Sequence, residues 1–255
     1  MARRPEATEV AREPNESSGG GRALGMARGP HERWGQFATR VANAFGLVLL
    51  LVLATYVLGS LTPFHGWTAV LNTLVGSTAA IVGLAGAGAR PQIVRAAVIG
   101  ALAAVVLAAL SEILGDPHLL GASAFVEVVL LLLAAGAILR AVLAEMEVGF
   151  RTILGAVSVY TILGLLFTSL YAALDRVQST PFFGSGVSIK TGDTLFFSFT
   201  TLTTTGYGNL VPAGQPGRMF AGLEMLMGQI FLVTLVAGLV SLWRPGLLTR
   251  RGRNS

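Results

Sequence analysis

The stretch that decides the fold runs from Asp193 to Asn209 and reads DTLFFSFTTLTTTGYGN. Its first half is apolar and rich in hydroxyl groups, and Asp193 at its start favours the N-terminus of a short helix. Its second half contains Gly206 and Gly208, which interrupt a helix and permit backbone conformations that other residues avoid. We therefore expect a short helix followed by irregular backbone.

The composition around this stretch is that of a membrane protein. The chain has 255 residues, of which 53% are hydrophobic and 12% are charged, against about 25% charged residues in soluble domains. No Asp, Glu, Lys or Arg occurs between Val41 and Ala89. Since a helix of about 20 apolar residues crosses the hydrocarbon layer, we expect an all-α membrane protein.

The apolar runs predict six transmembrane helices. These are Ala42–Leu61, Trp67–Ala89, Val94–Leu114, Ala122–Leu143, Thr152–Leu174 and Met219–Trp243. In this arrangement all Lys and Arg residues but Arg176, Lys190 and Arg218 lie on one side of the membrane. The positive-inside rule then predicts that both termini are cytoplasmic, in a multi-pass protein of the plasma membrane.

Irregular backbone at membrane depth needs partners for its carbonyl groups, which lipid cannot provide. Successive carbonyls, repeated by symmetry around an axis, form stacked rings of oxygen ligands for a dehydrated cation. The helix that precedes them points the negative end of its dipole in the same direction, which favours a cation over an anion. The stretch therefore indicates a path for cations.

The segment Thr204-Thr205-Gly206-Tyr207-Gly208 resembles the selectivity filter of potassium channels, which has valine in place of Thr205. The resemblance extends over about residues 152–243. It implies a prokaryotic-type channel with six transmembrane helices, a re-entrant pore helix and one pore loop per subunit. Because one loop supplies a quarter of each carbonyl ring, it also implies a homotetramer in the lipid bilayer.

The resemblance implies roles for the residues of the loop. The Thr204 hydroxyl and four carbonyls would coordinate K⁺, those of Thr204, Thr205, Gly206 and Tyr207. Gly208 completes the filter and, with Asn209, forms the outer mouth. The residues expected to brace the filter are Phe197, Ser198, Thr200, Thr201 and Glu224.

Three positions depart from the family pattern. The hydroxyl of Thr205 points away from the axis and needs a hydrogen-bond partner such as a neighbouring threonine. Many members of the family join an aromatic donor to an aspartate just after the filter, whereas Phe197 has no donor and Asn209 has no charge. We expect K⁺ selectivity to persist and the outer filter to be braced differently, with unusual inactivation.

Helix six has two further features. Gly228 lies where the family has its gating hinge, and the pore-lining candidates that follow it are Gln229, Leu232, Val236 and Val240. An ordinary buried stripe, with a glycine for close packing, is the alternative. Glu224 should face protein, since a lipid-facing charge costs about 2.5–3.5 kcal/mol. In a functional role, Glu224 accepts hydrogen bonds from Thr200 or Thr201 behind the filter and tunes gating. The alternative is a hydrogen bond with a purely structural role.

The chain divides into four parts. Residues 1–40 form a disordered basic cytoplasmic tail, and residues 244–255 a short one. Residues 41–147 form four helices that resemble a voltage-sensor domain without its charges, and residues 148–243 form the pore domain. Helix four carries one arginine, Arg140, so steep voltage gating is not expected.

Other functions fit the residues less well. The histidines, His31, His65 and His118, lie in the tail and outer loops with no partner at the spacing of a metal site or a catalytic dyad. An intramembrane protease is therefore not expected, and we expect a protein that is not an enzyme. The arginines flank membrane segments, which argues against nucleic acid. The chain has no cysteine, and no cofactor is expected beyond K⁺ as the permeating ion. A nonselective cation channel remains the alternative.

Overall fold

The computed structural model describes residues 44–58, 67–144, 150–184 and 191–242. The regular elements in these ranges are helices: α1 Ala44–Leu58, α2 Trp67–Gly86, α3 Pro91–Leu114, α4 Pro117–Leu143, α5 Phe150–Val177, α6 Thr191–Leu202 and α7 Gln215–Leu242. Five of them, α2, α3, α4, α5 and α7, are long and apolar enough to cross a membrane. The expected all-α membrane fold is confirmed.

The first expected span, Ala42–Leu61, extends beyond the described residues at both ends. Its described part, α1, is shorter than the roughly 20 residues that a crossing needs. The six-span arrangement therefore stays a prediction, and so does the disordered tail of residues 1–40, which also lies outside the described ranges. The terminal segment 244–255 lies outside them as well.

Several helices begin earlier than the sequence suggests. α4 begins at Pro117 instead of Ala122, where Asp116 caps the helix by accepting a hydrogen bond of 2.9 Å from the amide of His118. Proline suits this first position because the amide it lacks would have no helical partner. α7 begins at Gln215 instead of Met219, and α6 two residues before Asp193. A search for apolar runs misses such polar first turns.

The helices form two units that pack against each other. The N-terminal bundle, α1–α4, is centred on α4, which packs against α2 and α3. α1 also contacts α5 and α6 of the other unit, through Phe45 and Tyr56. The C-terminal unit, α5–α7, is centred on α5, which packs against α6 and α7 and, on its other side, against α4. α5 is therefore mostly buried, whereas most of α7 is exposed.

Small residues bring the helices together and large ones cover the outside. In α3 the buried positions are Ala97, Ala101, Ala104, Ala108 and Ser111. Ile99 and Leu102, on the other face, are exposed. This distribution is typical of helices that pack through small residues and present large apolar side chains to lipid.

Candidate functional site

The segment after α6 folds back against the helix that precedes it. The amides of Thr205 and Gly206 both donate to the carbonyl of Thr200, at 2.8 and 3.1 Å. The amide of Thr204 donates to the carbonyl of Thr201 at 3.0 Å. The N–H groups of this segment therefore face the C-terminal turn of α6.

The backbone of the segment alternates between two conformations. φ is positive at Thr204 (57°), Gly206 (52°) and Gly208 (76°), and it is not positive at Thr205 and Tyr207 between them. Such alternation turns successive N–H groups to one side of the chain, which leaves the carbonyls on the other. Glycine adopts the left-handed conformation without steric cost. The same conformation at Thr204 costs about 1–2 kcal/mol, because threonine has a side chain.

The carbonyls of residues 204–208 have no partner in the part of the chain that the structure describes. They accept no hydrogen bond there, and residues 203–209 are all exposed. Tyr207 is 70% exposed, and its ring stacks on Phe196 with centroids 5.7 Å apart and planes at 14°. The segment thus presents a row of carbonyl oxygens without hydrogen-bond partners, while the amides of residues 204–206 are bonded to the end of α6.

Hydroxyl groups fix the side of the segment that faces α6. The hydroxyl oxygens of Thr203 and Thr205 lie 2.9 Å apart, and the Thr203 hydroxyl also lies 2.7 Å from the carbonyl of Phe199. Thr203 therefore provides the partner that the hydroxyl of Thr205 requires. This contact ties the side chain at the unusual filter position to the backbone of α6.

Glu224 connects α7 with α5 and α6. Its side chain is 0% exposed, and its carboxyl group accepts hydrogen bonds from Tyr171 at 2.6 Å and from Ser198 at 2.5 Å. The Ser198 hydroxyl also lies 2.8 Å from the carbonyl of Gly164, so its single proton is shared between two acceptors. The expectation that Glu224 faces protein is confirmed.

The donors to Glu224 differ from those expected. Thr200 donates instead to the carbonyl of Phe197, at 3.0 Å, and among the described residues no bond joins Thr201 to Glu224. Ser198 takes the place of Thr200 because α7 approaches α6 on the face that carries Ser198, while Thr200 lies about 200° farther round the helix. Sequence reasoning missed Tyr171, since a buried tyrosine hydroxyl signals a need for a partner without identifying it.

Phe197 lies in an aromatic cluster behind the segment. Its ring is 6% exposed and meets Tyr171, Phe182 and Phe183 at centroid distances of 5.1, 6.1 and 5.3 Å. Asn209 is exposed at the far end of the segment. Phe197 thus holds this region by packing, and the structure gives no bond between it and Asn209.

Gly228 lies where α7 comes closest to α6. A Cβ atom at this position would overlap the carbonyl oxygen of Leu202, the last residue of α6. The Tyr160 hydroxyl donates to the same carbonyl at 3.1 Å, and its ring stacks on Phe231 of α7. Gly228 thus has a close-packing role, and α7 continues through it as one helix.

The pore-lining candidates lie on the open side of α7. Gln229, Leu232 and Val236 are exposed, Leu232 at 43% and Val236 at 51%. The side chain of Val240 lies outside the described part of the chain. The buried face of α7 is instead the one with Ala221 and Glu224, and the pore-lining role of the exposed residues stays a prediction.

Residues 155–244 match a protein-family model described as "Ion channel". The match supports an ion channel. Its range begins in α5 and takes in α6, the exposed segment and α7, so the ion-channel match coincides with the elements that build the site. An ion channel conducts passively in a bilayer, in keeping with the five long apolar helices. Comparison with curated proteins and with solved structures gave no match.

Proposed function

We propose that this ion channel is selective for K⁺ and that residues 204–208 form its selectivity filter. The observation that carries the proposal is the row of free carbonyls at these residues, whose alternating backbone directs their amides toward α6. Carbonyl oxygens in such a row replace the hydration shell of a K⁺ ion. In this proposal the ligands are the carbonyls of Thr204, Thr205, Gly206 and Tyr207 with the Thr204 hydroxyl.

The functional unit in this proposal is a homotetramer. One chain supplies one carbonyl at each level, and a dehydrated ion needs several. The exposed apolar surface of α7 supports this, since Leu226, Ile230 and Val233 are 61%, 65% and 56% exposed beside a segment of unpaired backbone. Three more copies around an axis cover the apolar face of α7 and the unpaired backbone of residues 204–208. The N-terminal bundle then lies at the periphery.

The remaining roles follow from this assembly. Gly208 and Asn209 form the outer mouth, and Gln229, Leu232, Val236 and Val240 line the path below the filter. Gly228 is the point at which α7 bends during gating. Both termini face the cytoplasm in the plasma membrane. The bundle does not confer steep voltage dependence, because Arg140 is the one Lys or Arg residue of α4.

Reversal potentials in planar bilayers test the proposal. The purified full chain is recorded under a K⁺/Na⁺ gradient beside two variants, Gly206→Ala and Gly136→Ala. Gly206 has a φ of +52°, whereas Gly136 is helical and a Cβ there meets nothing within 4 Å. We expect reversal near the K⁺ equilibrium potential for the wild type and Gly136→Ala, and loss of this selectivity for Gly206→Ala.

Two other results separate the alternatives. A reversal near zero in the wild type contradicts K⁺ selectivity and favours the nonselective cation channel. Selective current that survives in Gly206→Ala leaves a K⁺ channel but rejects residues 204–208 as its filter.

A further inference from the structure

A second polar site lies away from the exposed segment, between the two units. A cavity of about 90 Å³ opens between α1, α2, α4, α5 and the start of α6. Its polar lining includes Asn72, Thr73, Glu127, Thr168 and Ser169. Polar cavities of this kind inside membrane-spanning helices are costly and are typical of binding sites.

Glu127 is an acidic group that lines this cavity. It is 8% exposed, and its carboxyl group is hydrogen-bonded to Ser169 of α5. It lies directly over Gly76 of α2, where a Cβ atom would overlap its oxygen Oε1. In the described ranges no Lys, Arg or His forms an ion pair with it. A single hydrogen bond from a hydroxyl group does not offset the desolvation cost of burying an ionised carboxylate.

Asn72 offers a second oxygen to the same space. Its amide oxygen Oδ1 is buried and has no hydrogen-bond partner. Asn72 precedes Gly76 by four residues and therefore lies on the face of α2 that meets Glu127. A buried amide oxygen without a partner is rare in folded proteins and indicates an occupant that the chain itself does not supply.

The neighbouring hydroxyl groups make the cavity rich in acceptors. Thr168 donates its proton to the carbonyl of Gly164 at 2.8 Å, and Thr55 donates to the carbonyl of Leu51 at 3.0 Å. A hydroxyl whose proton is used in this way still has lone pairs for a ligand. The lining therefore favours an occupant that carries positive charge.

The charge of the lining determines how much positive charge it accommodates. Asp175 and Arg176 also line the cavity, and their charged groups lie 3.9 Å apart. Their charges offset one another, which leaves Glu127 as the acidic group of the described lining that has no basic partner. Ca²⁺ sites use several carboxylates, and Mg²⁺ dehydrates reluctantly.

We propose that this cavity binds one monovalent inorganic cation, held by the carboxylate of Glu127 and the amide oxygen of Asn72. Bound there, the cation links α2 and α4 of the bundle with Ser169 of α5. It would therefore stabilise the interface between the N-terminal bundle and the C-terminal unit. The proposal is independent of K⁺ selectivity in the exposed segment.

Thermal unfolding of the purified full chain tests the site. NaCl or KCl replaces N-methyl-D-glucamine chloride at constant ionic strength, and the midpoint is followed in the wild type, Glu127→Gln, Asn72→Ala and Glu112→Gln. Glu112 is a carboxyl of α3 that does not line the cavity, so its variant is the matched control. A cation bound at residues 204–208 raises the midpoint of all four proteins alike.

We expect a saturable rise of the midpoint in the wild type and Glu112→Gln that is smaller in Glu127→Gln, which keeps only the part that all four proteins share. Asn72→Ala should weaken the apparent cation affinity about tenfold. Equal responses in the wild type and Glu127→Gln would overturn the proposal and show a neutral carboxyl group beside ordinary water. If Glu127→Gln does not fold, the Asn72→Ala variant provides the test, because it keeps the carboxyl group of Glu127. A cation affinity of Asn72→Ala equal to that of the wild type would reject the site.

Discussion

Two buried carboxyl groups, one in each unit, differ in what surrounds them. Glu224 of the C-terminal unit accepts bonds from Tyr171 and Ser198, which belong to two other helices. Glu127 of the N-terminal bundle has Ser169 as its donor and borders a cavity. The first group is enclosed by the chain itself, while the second leaves room for a further ligand.

The comparison indicates how the two units differ in function. In the C-terminal unit, the unpaired oxygens are backbone carbonyls in one exposed row, and the side chains behind them are bonded. In the bundle, the unpaired side-chain oxygens are buried ones, those of Asn72, Ser77 and Ser123 in the described part of the chain. The unpartnered oxygens of the first unit are therefore exposed on its surface, whereas those of the second are buried inside it.

Removal of the two carboxyl groups should have the largest and most unequal effects. Glu224→Ala removes the acceptor of the buried Tyr171 hydroxyl and one of the two acceptors of Ser198, and it should lower the free energy of unfolding by about 3 kcal/mol. Glu127→Ala leaves only Ser169, whose hydroxyl can turn to its own helix, and should cost about 1 kcal/mol. Denaturation in detergent without Na⁺ or K⁺ measures the free energy of unfolding of both variants. Equal losses of stability would contradict the difference between the two carboxyl groups.

Glycines at two of the close approaches, Gly228 and Gly76, provide the next test. In Gly228→Ala the new Cβ meets the backbone carbonyl of Leu202, so α7 must move, at a cost of about 1–3 kcal/mol. In Gly76→Ala it meets the end of the Glu127 side chain, which can shift, so the cost should be smaller. Gly222→Ala, with nothing within 4 Å, is the control on α7 and should not destabilise. A harmless Gly228→Ala would reject the close-packing role.

A smaller effect is expected when one donor to Glu224 is removed. Tyr171→Phe keeps the ring in its aromatic cluster and removes a 2.6 Å bond, so it should cost about 1 kcal/mol. A double-mutant cycle with Ser198→Ala measures the coupling of the two donors. Because both act on one carboxyl group, the double variant should depart from the sum of the single ones, and strict additivity would contradict the network.

The smallest effect is expected at the unusual filter position. Thr205→Val removes the contact with Thr203 and keeps the backbone carbonyl. Its free energy of unfolding should change by about 1 kcal/mol or less, and its reversal potential under a K⁺/Na⁺ gradient should not change. A shift of the reversal potential would show that the Thr205 side chain, and not only the backbone, determines selectivity.

The sequence allowed some of these features to be predicted and concealed others for physical reasons. Apolar runs and the two glycines are local signals, so the all-α fold and the irregular segment were predictable. Helix starts such as Pro117 were not found, because polar first turns lie outside an apolar run. The donors to Glu224 depend on which faces of α5 and α6 meet α7, and the contact with Tyr171 spans 53 residues, which no local pattern reveals.

Structure determination of the assembled protein in K⁺ tests the central claim most directly. We expect four copies around an axis, the carbonyls of Thr204, Thr205, Gly206 and Tyr207 facing that axis, and ion density between successive carbonyl levels. Replacing K⁺ with Na⁺ should weaken or rearrange this density. An assembly in which residues 204–208 face away from the axis, or an axis without ion density in K⁺, would contradict the account.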